Sequence, residues 1–255
     1  MMRFAIVPLL CAAGAATAQG ALFGVASFSP FGTQSLYSID AGTGAATLIG
    51  STGLRQIVGL DWDSANGRLV ALTGAGDQFS INTITGASSL LVDATFGVPE
   101  GSVAFSGGTA FTTLFDNLHT WNGASWQQVG PSLLPAGSDI SGLAFGGTKL
   151  LGLATNGAAA DQLVSFSSLT GAATIIGATG TNAGSVAGLT YDFIGGTWFM
   201  SDGAGLYSVN AETGAASLIG QHGLTGFSGL AFVPSPGTMT LAGLAGLIVA
   251  RRRRR

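Results

Sequence analysis

The chain has 255 residues, of which 42 are glycine and only 8% are charged. Glycine is about twice as frequent as usual but follows no collagen-like period, and seven prolines are too few for a disordered linker. Six of the nine basic residues lie at the termini, so the body has three basic against twelve acidic residues, a net charge of −9. We therefore expect no nucleic-acid partner, and cations or cationic surfaces fit better.

Residues 1–18 have the layout of a secretory signal peptide. Arg3 precedes an apolar run, and Ala16-Thr17-Ala18 provides an A-x-A cleavage site. We expect cleavage after Ala18, which also removes Cys11, the only cysteine. The exported protein would then have neither disulfides nor cysteine-ligated metals.

The body, residues 19–233, is a repeat. LYSIDAGTGAATLIG at 36–50 returns as LYSVNAETGAASLIG at 206–220, with weaker copies at 78–92, 118–130 and 163–177. The turn glycines of the five copies lie 42, 37, 48 and 43 residues apart: Gly44, Gly86, Gly123, Gly171 and Gly214. A second motif follows each copy, namely GLDWD at 59, SVAF at 102, GLAF at 142, GLTYD at 188 and GLAF at 229. A further apolar segment, such as RLVALTG, follows this motif in four of the five copies.

These motifs predict four short strands per unit, and a period near 42 residues is typical of a β-propeller blade. The last unit lacks its fourth strand, and ALFGVAS at 21–27 has the missing pattern. We predict an all-β, five-bladed β-propeller with four strands per blade, whose N-terminal strand closes the last blade. A β-sandwich or a propeller with another blade count is the alternative. Through its T-G and G-L hairpin pattern, the body resembles propeller repeats of exported bacterial proteins, including quinoprotein-like ones.

We expect the LYSID-type strand of each copy to line the central channel. Its third position is a small hydroxyl residue in every copy: Ser38, Ser80, Thr120, Ser165 and Ser208. The simplest interpretation is that these hydroxyls satisfy neighbouring backbone groups.

Acidic residues recur in the loops that we expect at one face of the ring. Six of them form the predicted acidic rim: Asp77, Asp116, Asp161, Asp202, Glu100 and Asp139. Our hypothesis is that this rim holds a divalent cation such as Ca²⁺, or a cationic ligand, at the channel mouth. Repeated turn chemistry is the competing explanation, because aspartate favours turns. We predict no other cofactor.

Two further features carry little chemistry by themselves. Residues 61–67 resemble a calcium loop, but Ala65 stands where an oxygen ligand belongs, so Asn66-Gly67 predicts a hairpin turn. His119 and His222 are the only histidines, and no G-x-S-x-G motif is present.

The C-terminus has three parts: a short proline motif, an apolar stretch that ends at Ala250, and five arginines. A helix over residues 233–250 would be about 27 Å long, close to the bilayer core, and the arginines would stay cytoplasmic. This order resembles a PEP-CTERM sorting signal, although Ser235 stands where that family has glutamate. The sorting residues would be Val233, Pro234, Ser235, Pro236, Arg251, Arg252, Arg253, Arg254 and Arg255. The tail, residues 234–255, thus comprises the proline motif, a short transmembrane helix and the arginine cluster, and the alternative is a plain C-terminal anchor that is never cut.

The resemblance implies processing by signal peptidase and by an exosortase, a membrane enzyme of Gram-negative bacteria associated with exopolysaccharide production. We expect an exported protein, tethered to the inner membrane during sorting and then placed at the cell surface or in the extracellular matrix. We predict a non-enzymatic binding or structural module for exopolysaccharide or a matrix protein. The alternative is a metal-dependent propeller hydrolase or lactonase that uses the rim acids and His119. Three or more polar atoms converging on the axis would favour the enzyme, whereas aliphatic residues filling it would favour the binding module.

Overall fold

The protein is described by a computed structural model over residues 20–26, 32–94, 96–97, 101–114, 117–155, 160–182, 187–224 and 226–235. These residues form twenty β-strands and no helix. In chain order the strands are β1 (Ala21–Ala26), β2 (Ser35–Ile39), β3 (Ala46–Ser51), β4 (Ile57–Asp63), β5 (Arg68–Thr73), β6 (Gln78–Ile81), β7 (Ser88–Val92), β8 (Val103–Ser106), β9 (Thr109–Leu114), β10 (Asn117–Trp121), β11 (Trp126–Gly130), β12 (Asp139–Gly146), β13 (Lys149–Thr155), β14 (Gln162–Phe166), β15 (Ala173–Ala178), β16 (Gly188–Asp192), β17 (Thr197–Ser201), β18 (Gly205–Val209), β19 (Ala216–Gln221) and β20 (Phe227–Val233).

The strands form five antiparallel sheets of four strands each, which confirms the predicted five-bladed β-propeller. From the axis outward the blades are I (β20-β1-β2-β3), II (β4-β5-β6-β7), III (β8-β9-β10-β11), IV (β12-β13-β14-β15) and V (β16-β17-β18-β19). The first strand of each blade contacts the first strands of its two neighbours around the ring. Across the axis, Cα atoms of β4 lie within 8 Å of Cα atoms of β12 and of β16.

The ring closes as predicted, because the N-terminal strand β1 hydrogen-bonds to the C-terminal strand β20. Leu22 is paired with Phe232, and Gly24 is paired with Leu230. Blade I therefore combines one C-terminal strand with three N-terminal strands. The closure joins the two ends of the propeller, Gly20–Val233, through backbone hydrogen bonds and leaves blade I no open inner edge.

One prediction about the blades is wrong: the LYSID-type strands do not line the axis. They are β2, β6, β10, β14 and β18, the third strand of each sheet, and the GLAF-type strands are innermost. A repeat in the sequence fixes the period of a propeller but not which strand lies inside. The hydroxyl series is therefore remote from the axis, and two of its members bond to the backbone as interpreted: Ser80 to Ser89 O and Thr120 to Ala110 O.

The repeated turn between the third and fourth strands has a local cause. In blade I, Asp40 Oδ1 accepts hydrogen bonds from the amides of Gly42 and Thr43, and the Gly44 amide donates to Asp40 O at 2.8 Å. Gly44 has φ +74°, which an L-residue rarely adopts. A Cβ at Gly44 would also lie 2.6 Å from Gly220 O of blade V. The T-G motif thus serves both the turn and the contact with the preceding blade.

The core consists of five apolar layers, each between two neighbouring blades. The layer between blades I and II contains Val25, Leu36, Leu60 and Leu69, all at most 1% exposed. The other four join blades II and III, III and IV, IV and V, and V and I. Because both faces of each sheet are covered, strands in the middle of a blade, such as β5, consist almost entirely of apolar residues.

The signal peptide and the sorting residues from Pro236 onward lie outside the described residues. Val233 is the last residue of β20, and it is paired with Ala21. Among the residues that the structure describes, no helix is long and apolar enough to cross a membrane.

Candidate ligand site at the propeller axis

The five innermost strands share a four-residue pattern: a small residue, an aliphatic residue, a variable residue and an aromatic residue. The small residue lets neighbouring strands approach closely, since a Cβ at Gly59 would overlap the backbone nitrogen of Val103 in the next blade. The five small residues are Gly59, Ser102, Gly142, Gly188 and Gly229. The pattern therefore reflects how tightly the inner strands pack around the axis.

The aliphatic residues of the pattern are buried between neighbouring blades, one in each of the five apolar layers. All five are at most 1% exposed: Leu60, Val103, Leu143, Leu189 and Leu230. Cα atoms of β4 also come within 8 Å of Cα atoms of β12 and β16 across the axis, so the channel is narrow where these strands meet. We therefore expect a ligand site on the axis beyond this narrow section.

A cavity of about 260 Å³ lies at the axis, since its lining comes from all five innermost strands. Its wall includes the aromatic residue of all five inner strands: Trp62, Phe105, Phe145, Tyr191 and Phe232. Phe193, from the hairpin between β16 and β17, also lines it and packs edge-on against Phe232, with ring centroids 5.3 Å apart. We call this space the axial cavity.

The variable residue of the pattern supplies two polar side chains of the axial cavity, and Ser64 and Ser106 supply two more. In β4 it is Asp61, which is 9% exposed and whose Oδ2 accepts a hydrogen bond from the Phe105 amide at 2.7 Å. In β16 it is Thr190, whose Oγ1 accepts one from the Phe232 amide at 2.9 Å. The other three inner strands have alanine there. Asp61 and Thr190 thus each link their own inner strand to that of the next blade.

Asp61 is the titratable group that its surroundings disturb most. Burial raises the pKa of its carboxyl to about 7, against the opposing effect of the backbone hydrogen bonds from Phe105 and Trp62. The nearby Asp63 raises it further, but by less. The two ion pairs formed by the described residues, Arg68 with Asp63 and Lys149 with Glu212, do not include Asp61. Asp61 is therefore a buried carboxyl with backbone donors but no cationic partner in the described part of the chain.

Trp62 contributes a second uncompensated polar group. Its indole Nε1 is buried and has no hydrogen-bond partner, although Trp62 lines the axial cavity. Most buried polar atoms in folded proteins are paired, so an orphaned donor next to a cavity marks a place where a ligand or water can bind.

The strand directions decide which face of the ring carries the axial cavity. β4 runs toward it, because Ser64, in the hairpin that follows β4, lines its wall. The hairpins between first and second strands therefore lie on this face, which we call the cavity face. Loops between second and third strands, and those from one blade to the next, lie on the opposite face.

The predicted acidic rim is on that opposite face. Asp77, Asp161 and Asp202 lie between second and third strands, and Asp139 is the first residue of β12. Asp116 and Glu100 lie outside the described residues. The topology agrees with the expectation that these loops share one face, but that face is not the one with the axial cavity.

Two of the described rim acids, Asp77 and Asp202, accept hydrogen bonds from backbone amides of the loops. Asp77 Oδ1 accepts a hydrogen bond from the Ala94 amide, and Asp161 is 1% exposed. Asp202 accepts bonds from the amides of Ala204 and Gly205 and from the Tyr207 hydroxyl. Burial and this last bond raise the pKa of Tyr207 to about 12. Across the described ranges, no group of three or more histidine, cysteine or acidic side chains could hold a metal ion.

Neither histidine lies at the axis. His119 is on β10, the third strand of blade III, where its ring packs against Phe96 at 5.3 Å. His222 follows β19 and stacks on Phe227 at 5.0 Å. Burial lowers the pKa of both imidazoles. The hydrolase alternative would need His119 beside the rim acids at the channel, and the structure places it on the third strand of blade III instead.

Sequence reasoning missed Asp61 and the five aromatic residues as a site. The sequence contains a pattern that could have indicated this site. Every GLAF-type motif has an aromatic residue at the same position, and only two copies have a polar residue before it. Placing the LYSID-type strands at the axis puts these motifs on outer strands, and residues 61–67 then predict a hairpin turn rather than a site. The predicted hairpin turn at Asn66-Gly67 is confirmed between β4 and β5.

Comparisons with known proteins support the fold. No protein-family model matches the chain, and no curated protein matches its sequence. Among solved structures, a chain of the nidogen/laminin complex matches with a TM-score of 0.56 and 12% identity, over 85% of this chain and 99% of that chain. A structural genomics protein of unknown function from Bacteroides thetaiotaomicron has a TM-score of 0.45 and 13% identity, over 78% of this chain and 64% of that one. At this identity, the nidogen/laminin match shows a common β-propeller fold.

Proposed function

We propose that this protein is a non-enzymatic binding module that holds its ligand in the axial cavity. The observation that carries the proposal is the cavity itself, walled by one aromatic residue from each of the five inner strands. Concave sites lined by apolar and aromatic side chains with a few polar groups are the usual form of small-ligand sites. A volume of about 260 Å³ suits a head group or one side chain of a partner.

The polar groups in the cavity favour binding over catalysis. Asp61 is the single carboxyl in its wall, and neither histidine is nearby in the fold. Hydrolysis by general acid–base chemistry usually needs a second positioned group or a metal. The hydrolase or lactonase alternative therefore has no observation in its favour among the described residues.

The fold comparison agrees with this class of function. The similar chain of known structure comes from a complex of nidogen with laminin, so a related propeller takes part in a protein complex. Neither of those partners is carried over to this protein. Exopolysaccharide and matrix proteins remain our candidates for its biological partner, on the sequence argument alone.

A thermal-shift screen tests the binding site. Ligands that raise the melting temperature of the wild-type protein should lose this effect in Trp62→Ala, because the variant removes one wall of the cavity. Trp121→Phe is the matched control, since Trp121 lies on β10 and packs against Trp126. Ligands that stabilise Trp62→Ala as strongly as the wild type would show that they bind elsewhere.

We also propose that the protein is exported and sorted at the cell surface. The support is the A-x-A site at Ala18 and the tripartite C-terminus from Val233 to Arg255. Mass spectrometry of the protein from its native host should find an N-terminus at Gln19 and no Arg255. An intact Arg255 would mean that the tail is an uncut anchor, and an intact Met1 would overturn export through a cleaved signal peptide.

A further inference from the structure

The axial cavity has an unusual combination of charge and apolar surface. Its one carboxyl, Asp61, is more than nine-tenths buried and is surrounded by aromatic side chains. The Phe105 amide donates a hydrogen bond to Oδ2 of this carboxyl. A buried carboxylate without a cation is costly, so the cavity is electrostatically better suited to a positive occupant than to an empty or neutral one.

The aromatic wall points to the same kind of occupant. Tryptophan and tyrosine rings attract cations through their negative faces, and this attraction grows when the cation is desolvated. Trp62 and Tyr191 come from opposite sides of the ring, on β4 and β16, and both line the cavity. Because the cavity has a volume of only about 260 Å³, an occupant lies close to both residues.

The hydroxyl groups of the wall do not by themselves select the class of ligand. Asp61 Oδ2 and Thr190 Oγ1 already accept backbone hydrogen bonds, but Ser64, Ser106 and Tyr191 also line the cavity and could hydrogen-bond a neutral sugar. Charge is the feature that would distinguish a cation from such a sugar. The net charge of −9 on the body also attracts cations over a longer range.

We infer that the axial cavity binds an alkylammonium group, which Asp61 neutralises and the aromatic wall surrounds. This inference rests on the binding function proposed above. The group belongs either to a free quaternary ammonium compound or to a lysine side chain of a partner protein. Both carry one positive charge on a nitrogen attached to apolar carbon groups; the lysine ammonium has three N–H donors in addition, whereas the quaternary ammonium has none.

The test is calorimetric titration of the purified full-length protein with three matched probes. Choline represents the free ligand, n-butylammonium represents a lysine side chain, and 3,3-dimethyl-1-butanol is the neutral counterpart of choline. We expect at least one cation to bind with a Kd of about 1 mM or tighter. The neutral alcohol should bind about tenfold more weakly or not at all, because it lacks the charge that Asp61 neutralises.

The variant Asp61→Asn separates charge from structure. The side-chain oxygen of the introduced amide can still accept the Phe105 amide, so the fold should persist, whereas the affinity for the cation should fall about tenfold or more. Asp202→Asn, on the opposite face, is the matched control and should leave the affinity unchanged. Equal affinity of Asp61→Asn and wild type, with circular dichroism spectra that agree, would overturn the inference.

The pH provides a second readout that needs no variant. The charged or titratable groups on the strands around Asp61 are Asp63 and Arg68, which pair with each other, Tyr191 and Asp192 of β16, and Asp139, the exposed first residue of β12; the described residues of β1, β8 and β20 have none. Because burial raises the pKa of Asp61 to about 7, its carboxyl becomes ionised between pH 6 and pH 8. The affinity for the cation should rise over this range, by at most about tenfold. An affinity that is constant from pH 6 to pH 8 would contradict the inference.

The outcomes distinguish this inference from the proposed function. Tighter binding of choline than of n-butylammonium supports a free quaternary ammonium ligand, and the reverse order supports a lysine side chain. If 3,3-dimethyl-1-butanol or glucose binds as tightly as the cations, and Trp62→Ala abolishes that binding, the cavity is a binding site but the cationic class is wrong. If no probe binds at 10 mM (about ten times the expected Kd), the inference is overturned, while the thermal-shift screen still decides the proposed function.

Discussion

The two faces of the propeller use acidic residues in opposite ways. On the opposite face, Asp77 accepts a hydrogen bond from the amide of Ala94 in the loop after β7, Asp202 accepts bonds from the amides of its own loop, and Asp139 is exposed. On the cavity face, Asp61 is buried beside aromatic rings, and no ion pair formed by the described residues includes it. The number of acids on a surface therefore says little about where a cation would bind. Burial without an internal partner is the more informative observation.

The closely packed innermost strands lie between these two faces, and disrupting their packing should have the largest effect. Gly59→Val places a side chain on the backbone of Val103, which cannot move without shifting β8. We expect the free energy of unfolding to fall by about 3 kcal/mol or more, or the protein not to fold at all.

Denaturant unfolding followed by circular dichroism measures this change. Gly203→Ala is the control, because a Cβ at Gly203, in a loop of the opposite face, would meet no heavy atom within 4 Å. It should change the free energy by at most about 0.5 kcal/mol. If Gly59→Val were tolerated equally well, the inner strands could not be packed as described.

The second prediction concerns the pH dependence that Asp61 gives to stability. Its pKa is raised to about 7, whereas an aspartate in the unfolded chain titrates near 3.9. Between these values the folded state binds the proton and the unfolded state does not. The stabilising contribution of the neutral carboxyl is therefore complete below about pH 4, and it is lost as the pH rises to about 7, at up to about 1.4 kcal/mol per pH unit.

Asp61→Asn should remove this dependence, because the amide does not ionise. The variant should be as stable as wild type near pH 4 and more stable near pH 8, and melting temperatures across this range measure the difference. Parallel curves for the two proteins would mean that the pKa of Asp61 is close to its ordinary value.

On the opposite face, Asp202→Asn should give a smaller loss. The amide can still accept the bonds from Ala204 and Gly205, but it replaces the charged acceptor of the Tyr207 hydroxyl. We expect the free energy of unfolding to fall by about 1–2 kcal/mol, since hydrogen bonds to charged groups are worth this much. A loss of cation binding in this variant would contradict the separation of the two faces.

The smallest effect is expected for Asp139→Asn. Asp139 is exposed at the start of β12, where the removal of one surface charge matters little. The free energy of unfolding should change by at most about 0.5 kcal/mol, and adding Ca²⁺ should not change the melting temperature of either wild type or variant. If Ca²⁺ stabilised the wild type but not Asp139→Asn, the acidic rim would be supported as a metal site.

Most of the fold could be predicted from the sequence because the repeat is explicit. The spacing of the turn glycines gave the blade count, and the unpaired pattern at residues 21–27 gave the closure with β20. Which of the four strands is innermost in each blade could not be predicted, because the repeat pattern is the same whichever strand is taken as the first. It depends on how closely neighbouring strands approach, as at Gly59 and Val103, which is a property of the folded ring.

The site was harder to predict because its residues belong to different blades. Trp62, Phe105, Phe145, Tyr191 and Phe232 are spread over about 170 residues and meet only at the axis. Asp61 and Asp63 lie in the same short acidic segment, and Asp63 pairs with Arg68. From the sequence alone, the buried carboxyl without an ion pair could not be distinguished from the paired one. The aspartates that recur in the loops led to the prediction of an acidic rim, but the preference of aspartate for turns explains why they recur.

The most direct measurement is the pKa of the Asp61 carboxyl, followed by ¹³C NMR, with and without saturating choline. If the alkylammonium group sits beside this carboxylate, linkage requires that binding favours its ionised form, and the pKa should fall from about 7 by about one unit or more. A pKa that starts near 7 and stays unchanged when choline is bound would place the cation away from Asp61 and contradict the account.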